Sequence, residues 1–323
     1  DLLESEDVFK TANGLKALGV DIYKNGDEWF VHGVGIGGFC EPDDIIDCGN
    51  SGTSVRLLMG LVSTCPIKVT FTGDDSLRNR PMDRVVEPLS EFGAYFSTNY
   101  DCKLPIHVIG SNEPIPINYI LKIPSAQVKS AILLAGLNVK GTTSITENEA
   151  TRDHTEKMLY FMGAEINSKS LNDGTNKIEL KGLPYLKGKH FNIPNDPSSA
   201  AFPSAVALII PDSKIKIKNV CLNSLSTGFY ETIKEMGGAI KFINKKNISG
   251  EVVGDIQVKY SKLKGVVVPE KRVPSMIDEF PIFCIVSCFA EGETVMTGIK
   301  DLRNKESDRI KEMVQNLIKC GYS

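Results

Sequence analysis

The segment Leu159-Tyr-Phe-Met-Gly163-Ala-Glu-Ile166 joins a polar-apolar helical run to a β-prone run through a glycine. A glycine just past a helix readily takes the left-handed conformation that ends the helix, so a strand is expected to follow. The same signature recurs at intervals of 70 to 84 residues, around Gly19, Gly93, Gly237 and Gly321. This period is too long for a solenoid of small repeats, and it predicts a repeated α/β module.

The other half of each module is an apolar run that starts with small residues and leads, through a turn, to a short strand. The predicted helices are Ser51–Val62, Ser125–Leu137, Ser198–Ile210 and Phe280–Ala290, and the strands are Val69–Thr72, Thr142–Ile145, Ile215–Lys218 and Thr294–Thr297. These helices are apolar all round, so we expect them to be fully buried, whereas the helices that close on glycine should be half exposed. The pattern predicts an α/β protein with buried helices wrapped in sheet.

Length and composition bound the domain count and the class of protein. The 323 residues suit about two domains, and a stretch rich in Gly, Pro and Asn at residues 187–196 places the predicted boundary between 1–190 and 191–323. A net charge of -3 argues against wholesale nucleic-acid binding. No window is apolar enough for a membrane helix, and eight cysteines without metal or redox spacing indicate reduced thiols, so we expect a cytoplasmic protein.

The segment Asn50-Ser-Gly-Thr-Ser-Val-Arg56 is a candidate anion site at the start of a helix. Free backbone N–H groups and the positive end of the helix dipole meet there, and Gly52 has no side chain to keep a ligand away from the backbone. The alternative is ordinary helix capping by the small hydroxyl residues.

Arginine-bearing loops follow the predicted strands at corresponding places in the modules. Arg80 is either an anion ligand, with a planar fork that bonds two oxygens, or a loop arginine held by Asp74 or Asp75. Lys305 and Arg309 are spaced to share one face of a helical turn, which brings two cations together and favours an anion between them. The alternative is a first turn of mutual salt bridges with Glu306.

Asp278 and Glu279 precede the apolar run that starts at Phe280. Helix capping is one interpretation, and a general base kept ionised by nearby cations is the other. In the same way, Ser125 caps a buried helix, while Ser125 and Gln127 are also placed to hydrogen-bond a polyhydroxylated ligand.

Together these segments resemble one family, 5-enolpyruvylshikimate-3-phosphate (EPSP) synthase, in its bacterial class II form. The matching motifs, in the family's order, are Gly49-Asn-Ser-Gly-Thr-Ser-Val-Arg56, Arg78-Asn-Arg-Pro-Met82, Pro124-Ser-Ala-Gln-Val-Lys-Ser130, Thr151-Arg-Asp-His-Thr-Glu156, Ile277-Asp-Glu279 and Lys305-Glu-Ser-Asp-Arg309. The resemblance implies a two-domain enolpyruvyl transferase fold built from βαβαββ modules around buried parallel helices. It also implies transfer of the enolpyruvyl group of phosphoenolpyruvate to the 5-hydroxyl of shikimate 3-phosphate, without metal or organic cofactor.

The resemblance also implies which residues contact each substrate. Those expected to bind phosphoenolpyruvate are Asn50, Gly52, Arg80, Gln127 and Arg309. Those expected to bind shikimate 3-phosphate are Ser125, Ala126, Gln127, Thr151, Arg152, Asp278 and Lys305. By the same analogy the catalytic residues are Asp278, Glu306 and Lys305: Asp278 takes the hydroxyl proton and Glu306, near Lys305, supplies the methylene proton.

Some segments of the family pattern are absent from both ends, so the chain looks like an internal fragment, and we expect it to be inactive by itself. The resemblance implies a monomer whose partners are its small-molecule substrates, with no nucleic acid or membrane. Two alternatives remain. One is UDP-N-acetylglucosamine enolpyruvyl transferase, although residues 73–79 lack the cysteine expected there; the other is a non-catalytic domain of the same fold.

Overall fold

The computed structural model describes residues 2–99 and 101–322; residues 1 and 323, the outer limits of the predicted domains, lie outside the described residues. The chain forms two compact units. The first comprises Asp1–Asn148 and Met158–Lys189, and the second comprises Glu149–Lys157 and His190–Ser323. The short stretch 149–157 thus belongs to the second unit although it precedes residue 190.

Up to residue 189 the chain alternates helices and short strands. The helices are α1 (Glu6–Ala17), α2 (Gly52–Ser63), α3 (Asp75–Arg78), α4 (Asp83–Glu91), α5 (Ala126–Gly136) and α6 (His154–Met162). The strands are β1 (Asp21–Asn25), β2 (Glu28–His32), β3 (Ile46–Asp47), β4 (Lys68–Thr72), β5 (Tyr95–Ser97), β6 (Ile106–Ile109), β7 (Asn118–Ile120), β8 (Thr142–Glu147), β9 (Ile166–Ser170) and β10 (Asn176–Lys181).

From residue 190 onward the same alternation continues. The helices are α7 (Pro197–Ile209), α8 (Gly228–Glu235), α9 (Phe280–Ser287) and α10 (Arg309–Lys319), with 3-10 turns at Ser224–Ser226, Glu270–Ser275 and Lys300–Asn304. The strands are β11 (Lys214–Cys221), β12 (Ala239–Ile248), β13 (Glu251–Lys259), β14 (Val267–Val268) and β15 (Val295–Met296).

The predicted βαβαββ module is confirmed. Strands β3 to β6 form a sheet in the order β3-β4-β6-β5, and β7 to β10 repeat it as β7-β8-β10-β9. In both sheets the first pair is parallel and the other pairs are antiparallel. The second unit contains the sheet β11-β13-β12, and then a parallel pair, β14 with β15, on either side of α9 in the chain.

The glycines that close the modules adopt the expected left-handed conformation. Their φ angles are +93° at Gly19, +98° at Gly93, +102° at Gly163, +90° at Gly237 and +90° at Gly321. This region is open to glycine because it lacks a Cβ, so the helix ends there and the chain turns into the next strand.

Helices α2 and α5 lie side by side and run in the same direction. Near their starts, Nη1 of Arg56 donates to Oε1 of Gln127 at 2.6 Å, and near their ends Thr64 Oγ1 donates to the carbonyl of Ala135 at 3.2 Å. Between these contacts the backbones meet, because a Cβ at Gly60 would lie 2.4 Å from the carbonyl oxygen of Ala131. The two helix starts are therefore neighbours.

The expectation that all four apolar helices are fully buried holds for most of α2 and α5. It is wrong for α9, in which only Phe280, Phe283 and Val286 are buried, and for α7. In α7, Phe202 and Val206 are 54% and 51% exposed, and Ile210, one turn further, is 49% exposed. These positions share one face of the helix, and among the residues that the structure describes none covers it. The opposite face, with Ala201 and Leu208, is buried in the core of the second unit.

None of the described helices has both the length and the apolarity that crossing a membrane requires.

Candidate active site

In the first unit, the N-terminus of α2 is capped. Ser51 Oγ accepts a hydrogen bond from the backbone N–H of Ser54 at 3.2 Å, so the capping interpretation of this segment is correct as far as Ser51 is concerned. The first turn contains no acidic side chain to neutralise the positive end of the helix dipole. Capping therefore does not exclude anion binding here, because the cap satisfies only part of the N-terminal N–H groups.

Gly52 lies against two arginines. A Cβ at this position would be 2.8 Å from Nη1 of Arg56 and 2.8 Å from Nη1 of Arg80. Two guanidinium groups thus meet at the helix start where the backbone is bare. This is a cationic surface fitted to a phosphate or a carboxylate, since both the helix end and the arginine forks attract anions.

Gln127 joins the start of α5 to the start of α2. Its Oε1 accepts from Arg56, and its Nε2 donates to Thr53 Oγ1 at 2.8 Å. Ser125 caps α5, with Oγ accepting from the N–H of Val128 at 3.4 Å, and Ala126 is the first residue of the helix. The first turn of α5 also lacks an acidic residue, so a second positive helix end adjoins the first.

Asn50 and Asp74 form a pair beside these helix starts. Asn50 Nδ2 donates to Oδ2 of Asp74 at 2.7 Å, while Oδ1 of Asp74 accepts from the N–H of Leu77 at 2.7 Å and caps α3. Of the residues predicted to bind phosphoenolpyruvate, the first unit therefore brings together Gly52, Arg80 and Gln127, with Asn50 immediately before the cap.

The second unit holds Asp278 between two arginines. Nη2 of Arg152 donates to Oδ2 of Asp278 at 2.8 Å, and Nη1 of Arg309 donates to Oδ1 at 3.1 Å. Burial by itself raises the pKa of Asp278, but the guanidinium groups of Arg152 and Arg309 outweigh it and hold the pKa below its usual value. The carboxylate is thus ionised and fully paired.

The segment 305–309 is arranged differently from the expectation. Lys305 is extended and α10 begins only at Arg309, so the two residues do not share a helical turn. Lys305 Nζ lies 2.9 Å from Asp301, and Arg309 Nη2 donates to Oε2 of Glu306 at 2.7 Å. The helix starts late because Asp308 is its cap, with Oδ1 accepting from the N–H of Lys311.

Two of the residues predicted to bind shikimate 3-phosphate, Arg152 and Asp278, are hydrogen-bonded to each other in the second unit. Thr151, another of them, directly precedes Arg152 and is 3% exposed. Arg309, which also binds Asp278, links this pair to Glu306 by a further hydrogen bond. Lys305 is directed to Asp301 instead. The group from Arg152 through Asp278 and Arg309 to Glu306, here called the arginine–carboxylate cluster, contains two cations and two carboxylates.

Neither acidic residue before α9 caps that helix. Asp278 is engaged by arginines, and Glu279 occupies the N-cap position without a side-chain capping bond. Glu279 and Arg56 are not among the predicted site residues. The sequence signal for Glu279 is its position beside the predicted base Asp278, and the signal for Arg56 is an arginine within an apolar run.

One further group of potential ligand atoms lies in the second unit. His154, Cys221 and Glu251 have ligand atoms within 4.8 Å of one another. His154 Nδ1 and Oε1 of Glu251 are 2.6 Å apart, and Lys157 Nζ lies 3.4 Å from Oε2. Since the Lys157 ammonium already supplies the positive charge that a metal ion would bring, we assign this group an ion-pair role.

Each unit therefore carries a distinct chemical capability. The first has two neighbouring helix starts with Arg56 and Arg80, which suits binding of a phosphate or carboxylate. The second has Asp278 and Glu306 on one shared arginine, Arg309, which suits proton transfer beside an anion.

Comparison with known proteins identifies relatives over nearly the whole chain. The profile of the EPSP synthase (3-phosphoshikimate 1-carboxyvinyltransferase) family matches residues 1–323. A 3-phosphoshikimate 1-carboxyvinyltransferase of Cereibacter sphaeroides is 50% identical over 321 residues, which are 99% of this chain and 72% of the relative. That of Paracoccus denitrificans is 51% identical over 317 residues, 98% of this chain and 71% of the relative. The structure of EPSP synthase from Acinetobacter baumannii superposes with a TM-score of 0.84 at 42% identity, covering 98% of this chain and 71% of that one.

Proposed function

The chain belongs to the EPSP synthase family, and from this premise we propose that it transfers the carboxyvinyl group of phosphoenolpyruvate to the 5-hydroxyl of shikimate 3-phosphate. The reaction is a step of the shikimate pathway, which leads to aromatic amino acids. The observation that carries the proposal is the arginine–carboxylate cluster, in which Arg309 binds both Asp278 and Glu306. An acid–base pair held by one anion-binding arginine suits chemistry on two anionic substrates.

The proposed reaction is an addition followed by an elimination. The 5-hydroxyl oxygen bonds to the central carbon of phosphoenolpyruvate while the hydroxyl loses its proton and the methylene carbon gains one. The resulting tetrahedral adduct then loses a proton from its methyl group and expels inorganic phosphate, which restores the double bond. One base and one acid are sufficient, because each proton that is taken up is later released.

In this proposal the first unit, expected on the shikimate 3-phosphate side, supplies ligands for both substrates, and its phosphoenolpyruvate ligands are Asn50, Gly52, Arg80 and Gln127. The support for this assignment is the pair of positive helix starts with Arg80 beside Gly52, where a phosphate or carboxylate meets backbone N–H groups and a guanidinium together. Asn50 and Gln127, whose amides bind Asp74 and Arg56 in the absence of substrate, are assigned to the same ligand. Ser125, Ala126 and Gln127, at the first turn of α5, are assigned to shikimate 3-phosphate.

In the second unit Asp278 is the proposed base and Glu306 the proposed acid, with Lys305 beside Glu306. Thr151, Arg152, Asp278 and Lys305 are assigned to shikimate 3-phosphate, and Arg309 to phosphoenolpyruvate. Without substrates, Arg152 and Arg309 depress the pKa of Asp278 and so make it a weak base. Anionic substrates compete for these arginines, which would free the carboxylate and raise its pKa toward the value that a base requires.

The proposal extends to location and assembly. We propose a cytoplasmic monomer whose partners are its two small-molecule substrates. All eight cysteines are free thiols, which suits a reducing compartment. Analytical ultracentrifugation of the purified protein tests the monomeric state, and a stable dimer at micromolar concentration would contradict it.

Phosphate release tests the activity. The full-length gene product is incubated with phosphoenolpyruvate and shikimate 3-phosphate, and in a parallel reaction with phosphoenolpyruvate and UDP-N-acetylglucosamine. We expect phosphate release only in the first reaction, and mass spectrometry should show the carboxyvinyl ether. Release only with the nucleotide sugar, or with neither acceptor, would refute the proposed function.

A further inference from the structure

Glu279 is a buried carboxyl group that the reaction described above does not use. It lies at the start of α9, directly after Asp278, and is 1% exposed. Within the described residues neither of its oxygens has a hydrogen-bond partner of normal geometry. An ionised carboxylate in such surroundings is costly, since water is excluded and the Ser198 hydroxyl that faces it makes no hydrogen bond of normal geometry to it. The site therefore favours a carboxyl group that holds a proton.

The charged and titratable groups around Glu279 come from three other parts of the second unit and from its own. Ser198 faces it from the start of α7, Tyr230 from α8, Arg152 from the segment before α6, and Asp278 from the preceding position. Tyr230 remains neutral, because burial raises its pKa and its hydroxyl donates to the carbonyl of Pro197 at 2.7 Å. The charge state of Glu279 is thus set first by burial, and then by Ser198, Arg152 and Asp278 in that order.

The balance of these effects puts the titration of Glu279 near neutral pH. Burial raises its pKa to about 7, the negative charge of Asp278 adds to the rise, and Ser198 and Arg152 oppose it. The pKa values of the two adjacent carboxyl groups are thus shifted in opposite directions, that of Asp278 downward and that of Glu279 upward. At neutral pH Asp278 is charged while Glu279 is divided between two states.

Arg152 is the cation whose charge acts on Glu279. Its Nη2 is bound to Asp278 at 2.8 Å, but its Nε is buried and has no hydrogen-bond partner among the residues described. Ionised Glu279 would place a second negative charge beside this guanidinium. If Glu279 is neutral, the positive charge of Arg152 interacts with Asp278 and with an anionic ligand, without competition from a second carboxylate.

We propose that Glu279 is a positioning residue that must hold a proton for Arg152 to serve the substrate, so that binding of shikimate 3-phosphate is coupled to proton uptake by Glu279. This inference rests on the proposed function, which assigns Arg152 to that substrate. The coupling is reciprocal by thermodynamic necessity: protonation strengthens substrate binding to the same extent that the bound anion strengthens protonation. Glu279 itself does not contact the reacting atoms in this scheme.

The coupling has a direction and a size. Below neutral pH Glu279 is already protonated, and its charge does not affect binding. Above its midpoint each pH unit weakens the binding of shikimate 3-phosphate by up to about tenfold, because one proton must be taken up for each substrate bound. A purely structural role for Glu279 would not produce this pH dependence.

Isothermal titration calorimetry of the full-length gene product with shikimate 3-phosphate tests the proposal. Titrations at pH 7 in buffers of different ionisation enthalpy give the number of protons taken up, and titrations from pH 6 to 8.5 give the dissociation constant. The proteins compared are the wild type, Glu279→Gln, and Glu231→Gln, which removes an exposed carboxylate of α8. Because a phosphate monoester titrates near pH 6, the informative quantity is the difference between proteins.

We expect the wild type and Glu231→Gln to take up more protons than Glu279→Gln. Glu279→Gln should bind like the wild type at pH 6 and up to about tenfold more tightly than the wild type at pH 8. Equal proton uptake and an equal pH dependence in wild type and Glu279→Gln would overturn the inference. Failure of the wild type to bind shikimate 3-phosphate at any pH would instead overturn the proposed function.

A second measurement does not depend on the variant's folding. In wild-type protein labelled with ¹³C at the glutamate carboxyl carbon, NMR should show a carboxyl resonance that titrates near pH 7 and shifts to higher pH when shikimate 3-phosphate is added. If every glutamate resonance titrates near the usual value, or if the substrate leaves the midpoint unmoved, the inference is wrong.

Discussion

The guanidinium of Arg309 donates to Oδ1 of Asp278 at 3.1 Å from the first position of α10, and its other terminal nitrogen binds Glu306. One arginine thus holds both carboxyl groups that we assign to proton transfer. Under this assignment, an anionic substrate that drew Arg309 away would release both carboxyl groups, which would link the acid–base chemistry to substrate occupancy.

Replacement of Asp278 by asparagine tests its role as the base. Asp278→Asn keeps the shape and most hydrogen-bonding capacity of the side chain but removes its ability to accept a proton, so kcat should fall by about 10²-fold or more. Phosphate release at saturating substrates measures this. Asp212→Asn, at an exposed turn, is the matched control and should retain full activity. A kcat for Asp278→Asn within a few-fold of the wild type would exclude Asp278 as the base.

The close approach of arginines to Gly52 predicts a defect in phosphoenolpyruvate binding. In Gly52→Ala the added Cβ would lie 2.8 Å from Nη1 of both Arg56 and Arg80, so these flexible side-chain ends must move and the helix start becomes partly covered. We expect KM for phosphoenolpyruvate to rise by about tenfold, equivalent to about 1.4 kcal/mol, with little loss of stability. In Gly188→Ala, where no atom lies within 4 Å of the added Cβ, KM should be unchanged. An unaltered KM in Gly52→Ala would contradict the assignment.

The close approach of the α5 backbone to Gly60 predicts that a substitution at this position lowers stability. Its added Cβ would meet the backbone of α5, 2.4 Å from the carbonyl oxygen of Ala131, and a backbone cannot give way as a side-chain end can. Gly60→Ala should therefore lower the free energy of unfolding by about 1–3 kcal/mol, since overpacking forces α2 and α5 apart. Urea denaturation measures the difference, with Gly33→Ala, in open space, as the control. Equal midpoints for Gly60→Ala and Gly33→Ala would show that the two helices separate without cost.

The buried carboxyl of Glu279 predicts a pH-dependent loss of stability. Its pKa is about 7 in the folded protein against 4.5 for the free side chain, so the folded state binds the proton more tightly. Below pH 4.5 Glu279 is protonated in both the folded and the unfolded state, so its full contribution to the free energy of unfolding is present. This contribution falls by up to about 3 kcal/mol as the pH rises from about 4.5 to 7.

Chemical denaturation of wild type and Glu279→Gln between pH 4.5 and 8 measures this effect. The unfolding free energy of the wild type should decline relative to that of Glu279→Gln over this range and then become parallel to it. Glu231→Gln should show no such relative change. A constant difference between wild type and Glu279→Gln would mean that the Glu279 carboxyl titrates at its usual pKa.

Local sequence predicted the elements well because local physics specifies them. The glycines at 19, 93, 163, 237 and 321 all take positive φ, since helix termination is decided within a few residues. The starts of α2 and α5 follow from Ser51 and Ser125 for the same reason. The resemblance carried by six motifs led to the correct fold and family.

Sequence spacing was less informative about the candidate site. Lys305 and Arg309 are four residues apart, but Asp308 caps α10 between them, so the spacing does not translate into a shared helical face. The exposed face of α7 was also missed, because an apolar run shows that a helix is hydrophobic on all sides but not which sides other elements cover.

The sequence by itself determined the repeated module, the helix caps and glycine stops, and the identity of the residues assigned to the site, because these depend on neighbouring residues and on motifs. Only the tertiary structure decided which polar groups pair: Arg152 and Arg309 bind Asp278, Arg56 binds the amide of Gln127, and Glu279 has no hydrogen-bond partner of normal geometry among the described residues. The physical reason is that ion pairing and desolvation depend on distance and burial between residues that are tens to more than a hundred positions apart in the chain.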